Sequence, residues 1–310
     1  MSLSFFVIVN IIIEYSIFKL IFVNYYKNII IIHKGMVICM PELPEVEVVR
    51  RALEKNLVGK KIVDIKVKYP NIIVDDVNEF INNVCDRKIC GVKRLGKFLI
   101  FDLDKGNIIS HLRMEGKYFY VKKDSIDNKH IHVIFFLDDG YMLCYQDVRK
   151  FGRMWYKSDL DLYSTDPLNK VGLDLTKTTA YSKDEIYKKI IKSKCAIKTT
   201  LLDQSIISGL GNIYVDEVLF LSKINPHLPS NKITLLDLDN ILKYTQECFL
   251  KSIECGGTTI RSYTSELGVI GHNQDNLYVH TKDICKICGT KIIKDKINGR
   301  GTYYCPKCQK

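Results

Sequence analysis

Hydrophobic and polar positions along the 310-residue chain change period several times. From Leu43, the spacing of Val46, Val49, Leu53 and Leu57 predicts a helix, with Pro44 suited to its first position and Gly59 ending it. Glu45 and Glu47 complement the positive end of that helix. Between Lys60 and about Tyr156 the pattern becomes that of short strands. The clearest are "KFLIFDL", "NIISHLRM", "KYFYVKK", "IHVIFFL" and "YMLCYQD", and Asp139-Gly140 marks a hairpin between the last two. Strands in succession predict an antiparallel sandwich or barrel. Residues 157–172 read as a linker turning at "STDPLN". Beyond Lys183 the helical period returns in "KDEIYKKIIKSK", "AIKTTLLDQSII", "NIYVDEVLFLSKI" and "LLDLDNILKYTQECFLKSIECGG", the last ended by Gly256 and Gly257.

Residues 1–39 follow none of these patterns. They are dense in Ile, Phe, Val and Tyr, but Glu14 and Lys19 prevent any uncharged run of membrane-spanning length. A signal peptide fits poorly, because the segment has neither a basic start nor a small-residue cleavage site. A membrane anchor and an upstream extension from a misplaced start are the other readings. The expectation is the extension, with Met40 as the working initiator.

Composition adds a direction. Hydrophobic residues make up 46% and charged residues 26%, which excludes a disordered or fibrous class. The formal net charge of +11 favours a polyanionic partner, either nucleic acid or an anionic membrane surface, although lysine-rich coding alone produces such a charge. Seven of the eleven cysteines are scattered singly, as small buried residues in a reducing compartment would be. The other four are Cys285-x2-Cys288, then sixteen residues, then Cys305-x2-Cys308. This is the spacing of a closed four-thiolate zinc site, so one structural Zn2+ is expected.

Between the zinc pairs, Asn298-Gly299 signals a tight hairpin turn with Arg300 at its tip. Residues 282–310 carry eight Lys or Arg against two Asp. A ribbon this basic suits a nucleic-acid groove, and a solvated lysine face is the plainer alternative. "SGLGN" at 208–212 offers backbone amides and the Asn212 side chain at a helix N-terminus, which suits a phosphate oxygen. An ordinary helix–helix connection would use the same residues.

The stretch "MPELPEVE" from Met40 carries the sharpest chemistry. With Met40 removed, the chain would begin at Pro41 with a free secondary amine, and such α-amino groups titrate near ~8. Attack on a sugar C1′ yields an iminium ion, an electron sink that permits β-elimination. Glu42 is placed to act as general acid or base.

"MPELPEVE", "DVRKFG" at 147–152, "SGLGNIYVDEVLF" at 208–220 and the terminal CxxC…GRGTYYCPKCQK together resemble the bacterial formamidopyrimidine-DNA glycosylases. The opening favours that branch over the endonuclease VIII branch, which remains an alternative. The resemblance implies an α+β fold: an antiparallel β-sandwich flanked by helices over 40–160, a helix-two-turn-helix module over 173–257, a lesion-recognition loop over 258–281 and a zinc-ribbon hairpin over 282–310. It also implies a base-excision repair enzyme that removes oxidised purines from duplex DNA and nicks the strand by β,δ-elimination. Pro41 matches the nucleophile, Glu42 the catalytic acid, Lys97 the proton donor for β-elimination and Arg300 the arginine of δ-elimination. His130, Arg149, Lys194 and Asn212 resemble DNA contacts, while Met114, Arg149 and Phe151 resemble a wedge that fills the gap left by the extruded base. A monomer in the cytoplasm at the nucleoid is expected, with no obligate protein partner and no membrane. If the leader were retained, Pro41 would stay acylated and the chain would be a non-catalytic lesion- or DNA-binding protein. One departure stands out: "YVHTKDIC" precedes the first zinc cysteine where the family has a longer segment with a Tyr-Gly pair, so an altered entry to the ribbon is expected.

Overall fold

The computed structural model describes residues 41–123, 125, 128–177, 180–258 and 272–310. The leader and most of the expected lesion-recognition loop, residues 259–271, lie outside the described residues. Helix α1, Leu43–Leu57, places Pro44 second rather than first and buries Val46, Val49, Leu53 and Leu57 as the spacing predicted. These side chains join the core of a β-sandwich.

One sheet contains β1 (Ile62–Val67), β5 (Lys117–Lys122), β6 (Ile131–Leu137) and β7 (Tyr141–Gln146), in the order β1-β6-β7-β5. The other contains β2 (Ile89–Leu95), β3 (Phe98–Leu103), β4 (Asn107–His111) and β8 (Arg153–Lys157), in the order β2-β3-β4-β8. All pairings within them are antiparallel. The five strands read most clearly are β3 to β7, and Gly140 turns between β6 and β7 with φ of 81°.

Two features differ from the sequence reading. Helix α2, Val77–Val84, interrupts the strands; Asp76 caps it by accepting from the Asn78 and Glu79 amides, and Phe80 and Val84 are its buried residues. Val77, Phe80, Ile81 and Val84 carry the i, i+3, i+4, i+7 spacing of a helix and all pack on the core, a signal that the sequence reading passed over. The segment 157–172 is more than a linker. Its Leu162 and Leu168 cover Ile100 and Ile109 on the outer face of the second sheet, which explains why β3 reads as a nearly continuous apolar run.

The helical module contains α3 (Lys183–Ile191), α4 (Ile197–Leu201), α5 (Asn212–Leu221) and α6 (Leu235–Glu254). The second predicted helix is cut to five residues, because the chain turns after Leu201 to bring Ser208–Gly211 under α1. A buried ion-pair network joins module to sandwich: Arg94 of β2 binds Glu47 of α1 (3.0 Å) and Asp174 (2.7 Å), and its second amine donates to Thr176 (2.6 Å). The last element is the antiparallel hairpin of β9 (Ile293–Ile297) and β10 (Arg300–Tyr304). No helix among the described residues is long and apolar enough to cross a membrane.

Candidate active site at a helix N-terminus

The start of α5 is where the distant motifs meet. The Glu42 carboxylate accepts hydrogen bonds from the backbone amides of Gly211 (2.7 Å), Ile213 (2.8 Å) and Tyr214 (3.3 Å). One amide of the 208–212 turn, that of Gly211, is therefore used inside the protein. Both glycines of "SGLGN" are needed for this contact. A Cβ at Gly211 would lie 2.3 Å from the Glu42 carboxyl carbon, and one at Gly209, with φ of +96°, would lie 2.4 Å from Leu43.

Burial pushes the Glu42 carboxyl up to about 7, from an ordinary value of 4.5. The Lys97 charge and the Ile213 and Tyr214 amides oppose the shift, while Glu45 adds to it. Desolvation outweighs the amides because the carboxylate is almost wholly withdrawn from water. The result is a group that can give or take a proton near neutrality. Glu45 fixes the backbone here. One of its oxygens accepts from the Glu42 amide (2.9 Å), the other from the Tyr214 hydroxyl (2.7 Å) and from the Thr258 amide and hydroxyl (2.9 and 2.7 Å).

Lys97, just before β3, donates to the Leu210 carbonyl at 2.8 Å, between the two glycines. Arg300 is exposed at the hairpin tip, where Asn298 (φ 48°) and Gly299 (φ 75°) both adopt the left-handed region that such a tight turn requires. Behind that tip lies Lys198, which sequence reasoning left among several neighbouring lysines. It is wholly buried and bridges Asp216 of α5 (2.8 Å) to the Gly301 carbonyl (2.7 Å). Burial lowers its proton affinity against the pull of Asp216 and Glu42, and Arg300 lowers it further, so both ends of the site lie within its electrostatic reach. A signal was present: Asp216 and Glu217 are the charged residues of an otherwise apolar helix, and such charges need buried partners.

The four zinc-spaced cysteines bring their sulfurs within 4.8 Å of one another. Two of the separations are 3.5 Å (Cys288–Cys305) and 3.9 Å (Cys285–Cys308). A tetrahedral zinc with bonds of about 2.3 Å separates its ligands by roughly 3.8 Å, so the donor set and spacing fit one closed, structural ion. The segment that departs from the family pattern has its own anchor. The amides of Tyr278, Val279 and His280 donate to Glu217, and His280 Nδ1 lies 2.9 Å from Asp216.

The remaining predicted residues lie on four connecting segments and one helix start. Arg149 and Phe151 are exposed on the β7–β8 loop, with the guanidinium 4.9 Å from the ring centre. His130 is beside them, since its carbonyl accepts from the Asp147 amide at 3.0 Å. Met114 is half-buried in the β4–β5 turn, next to Arg113 at φ 54°. Asn212 is the first residue of α5; its Oδ1 is buried and has no hydrogen-bond partner among the described residues. Lys194 is exposed before α4 and stands apart from the Lys198 network.

A β-sandwich, a helical module and a four-cysteine ribbon that converge on one helix terminus define a three-part, zinc-ribbon protein. Its parts match, in order, the formamidopyrimidine-DNA glycosylase N-terminal domain (40–154), the H2TH domain of those enzymes (172–264) and the zinc finger found in FPG and IleRS (284–310). The chain belongs to the formamidopyrimidine-DNA glycosylase family. It is 46% identical to the formamidopyrimidine-DNA glycosylase of Ligilactobacillus salivarius over 87% of this chain and 99% of that one. With the Streptococcus mutans enzyme the identity is 43%, over 87% of this chain and all of that one. Among solved structures, a Lactococcus lactis Fpg complexed with DNA containing an abasic site superposes with a TM-score of 0.81, at 39% identity over 86% of this chain and 99% of that one. A G226P mutant of the same protein with Fapy-dG-containing DNA gives the same TM-score and identity, covering 87% and 99%.

Proposed function

We propose that this protein is a bifunctional glycosylase and abasic-site lyase that removes oxidised purines from duplex DNA. The observation that carries this reading is the Glu42 carboxyl, buried on three backbone amides, titrating near neutrality and directly following Pro41. The reading requires a chain that starts at Pro41. It is supported by a family match that begins at residue 40 and by relatives that align along almost their whole length without the leader.

In this chemistry the Pro41 nitrogen bonds to C1′ while the bond from C1′ to the base breaks, and the base departs with the electron pair and takes up a proton. The nitrogen then gives up its own proton. Glu42 protonates O4′, the sugar opens, and an iminium forms between Pro41 and C1′. Loss of a C2′ proton with breakage of the C3′–O bond is the β-elimination, for which Lys97 is placed as proton donor. Arg300, at the ribbon tip, serves the second elimination at C5′. His130, Arg149, Lys194 and Asn212 hold phosphates, and Met114, Arg149 and Phe151 fill the stack after the base leaves it. The enzyme acts as a monomer at the nucleoid, and residues 258–281 contribute the lesion-recognition loop.

The test is borohydride trapping on an abasic duplex followed by peptide mapping of the adduct. Sugar attached to an N-terminal Pro41 is the expected result. An adduct mapped to a lysine, or native protein whose mass includes residues 1–39, would sink the proposal.

A further inference from the structure

The two loops assigned to fill the stack, the Met114 turn and the Arg149–Phe151 loop, converge on one buried hydroxyl. That group belongs to Tyr145, on β7 inside the sandwich core. A methyl added at Gly116, in the Met114 turn, would come within 2.4 Å of the hydroxyl oxygen; one added at Gly152, closing the other loop, would come within 1.6 Å. Both loops therefore rest on the same atom, and each has glycine where it touches.

Other bonds tie the same point to the loop backbones. The Tyr145 hydroxyl lies 3.5 Å from Asp147 Oδ2, at the limit of a hydrogen bond, so its contact with the loops is mainly steric. The Asp147 carboxylate accepts from the amides of Arg149 (2.9 Å) and Gly152 (2.8 Å), and Gly116 closes its own turn on the Leu112 carbonyl (2.9 Å). From below, the Tyr145 ring meets Tyr118 edge-on at 5.2 Å, and the Tyr118 hydroxyl is held by Ser110 at 2.7 Å. Burial and the Asp147 charge push ionisation of Tyr145 far above the ordinary tyrosine range, so the group stays neutral. A rigid ring at fixed height under two turns transmits displacement from one to the other, because packed interiors have no slack to absorb it.

We propose that Tyr145 is a positioning residue that couples the two loops, so that Met114 is seated in the duplex only when the Arg149–Phe151 loop is seated as well. This rests on the gap-filling reading above.

The experiment uses protein beginning at Pro41 and a duplex with a formamidopyrimidine lesion flanked by 2-aminopurine. Met114→Ala, Phe151→Ala and the double variant are compared in the Tyr145 and Tyr145→Phe backgrounds, by single-turnover base release and by 2-aminopurine fluorescence. With Tyr145 present, the double variant should be no slower than the worse single variant, a coupling of about tenfold. Tyr145→Phe should cut that coupling to about twofold or less and split the fluorescence rise into two phases. A residue that merely stabilised the sandwich would slow every variant equally and leave the coupling intact, which overturns the proposal. If Met114→Ala and Phe151→Ala both release base at the wild-type rate, the gap-filling reading fails instead, and the coupling falls with it.

Discussion

Glu42 and Glu217 bind the same way and are separated by what surrounds them. One caps the N-terminus of α5 and the other belongs to α5; both are buried, and both accept three backbone amides: Gly211, Ile213 and Tyr214 in one case, Tyr278, Val279 and His280 in the other. In both, burial is the largest cause of a raised proton affinity, and the amides only reduce it. A buried carboxyl in an amide cradle is therefore not by itself a sign of catalysis. Glu42 follows a potential nitrogen nucleophile and feels the Lys97 charge, whereas Glu217 grips the backbone that leads into the zinc ribbon. In the proposed chemistry the carboxyl that reacts is the one beside Pro41.

The largest test of that contrast acts on the Glu217 side. Removing zinc should unfold the ribbon, since a structural zinc site contributes on the order of 10 kcal/mol to folding. Chelation should abolish DNA binding, while the cooperative thermal unfolding of the sandwich persists; loss of both together would show that the ribbon is not a separate unit. On the other side, Glu42→Gln should slow base release by about 10²- to 10⁴-fold while the protein stays folded, measured in single-turnover excision. A rate within a few-fold of wild type would remove Glu42 from the chemistry.

The same substitution has a signature in pH. Because Glu42 holds its proton up to about 7 in the native state against an ordinary 4.5, folding gains stability below that window and loses it as pH rises through it. The difference corresponds to on the order of 3 kcal/mol. Urea unfolding between those pH values should show a falling slope that flattens in Glu42→Gln; an unchanged slope would mean that burial does not set the proton affinity. Glu217→Gln should cost about 1–3 kcal/mol by leaving amides poorly matched, and should appear first as faster proteolytic release of the ribbon. Smallest is Asn298→Ala, at about 1 kcal/mol for a non-glycine residue forced to positive φ. Its readout is a reduced share of δ-elimination product, with β-elimination unchanged.

Legibility varied with how local each signal was. Helix α1, strands β3 to β7, the Asn298-Gly299 turn and the zinc cysteines were readable because periodicity, turn chemistry and ligand spacing act within a few residues. Helix α2 escaped although Val77, Phe80, Ile81 and Val84 keep a helical spacing, because it is only eight residues long and stands between strands. The segment 157–172 read as linker because its two covering leucines are separated by polar turns. The "SGLGN" motif was located correctly, yet the claim of Glu42 on its Gly211 amide was not foreseen: a phosphate oxygen and a carboxylate make the same demand on a helix N-terminus. Lys198 and Tyr145 were not distinguished at all, since a lysine in an apolar stretch and a tyrosine in a strand look ordinary without their neighbours.

The amino-acid sequence alone determined the order of modules, the zinc ligand set, the hairpin tip and, through its resemblance, the family. Which oxygen the α5 amides bind, why burial holds Glu42 near neutrality, and how Lys198 and Tyr145 link distant segments were decided by tertiary structure. The reason is physical. Propensity and spacing are properties of neighbours along the chain, whereas desolvation, close approach at a glycine and the pairing of buried charges depend on segments that only the fold brings into contact, as with Glu42 and Gly211, 169 positions apart.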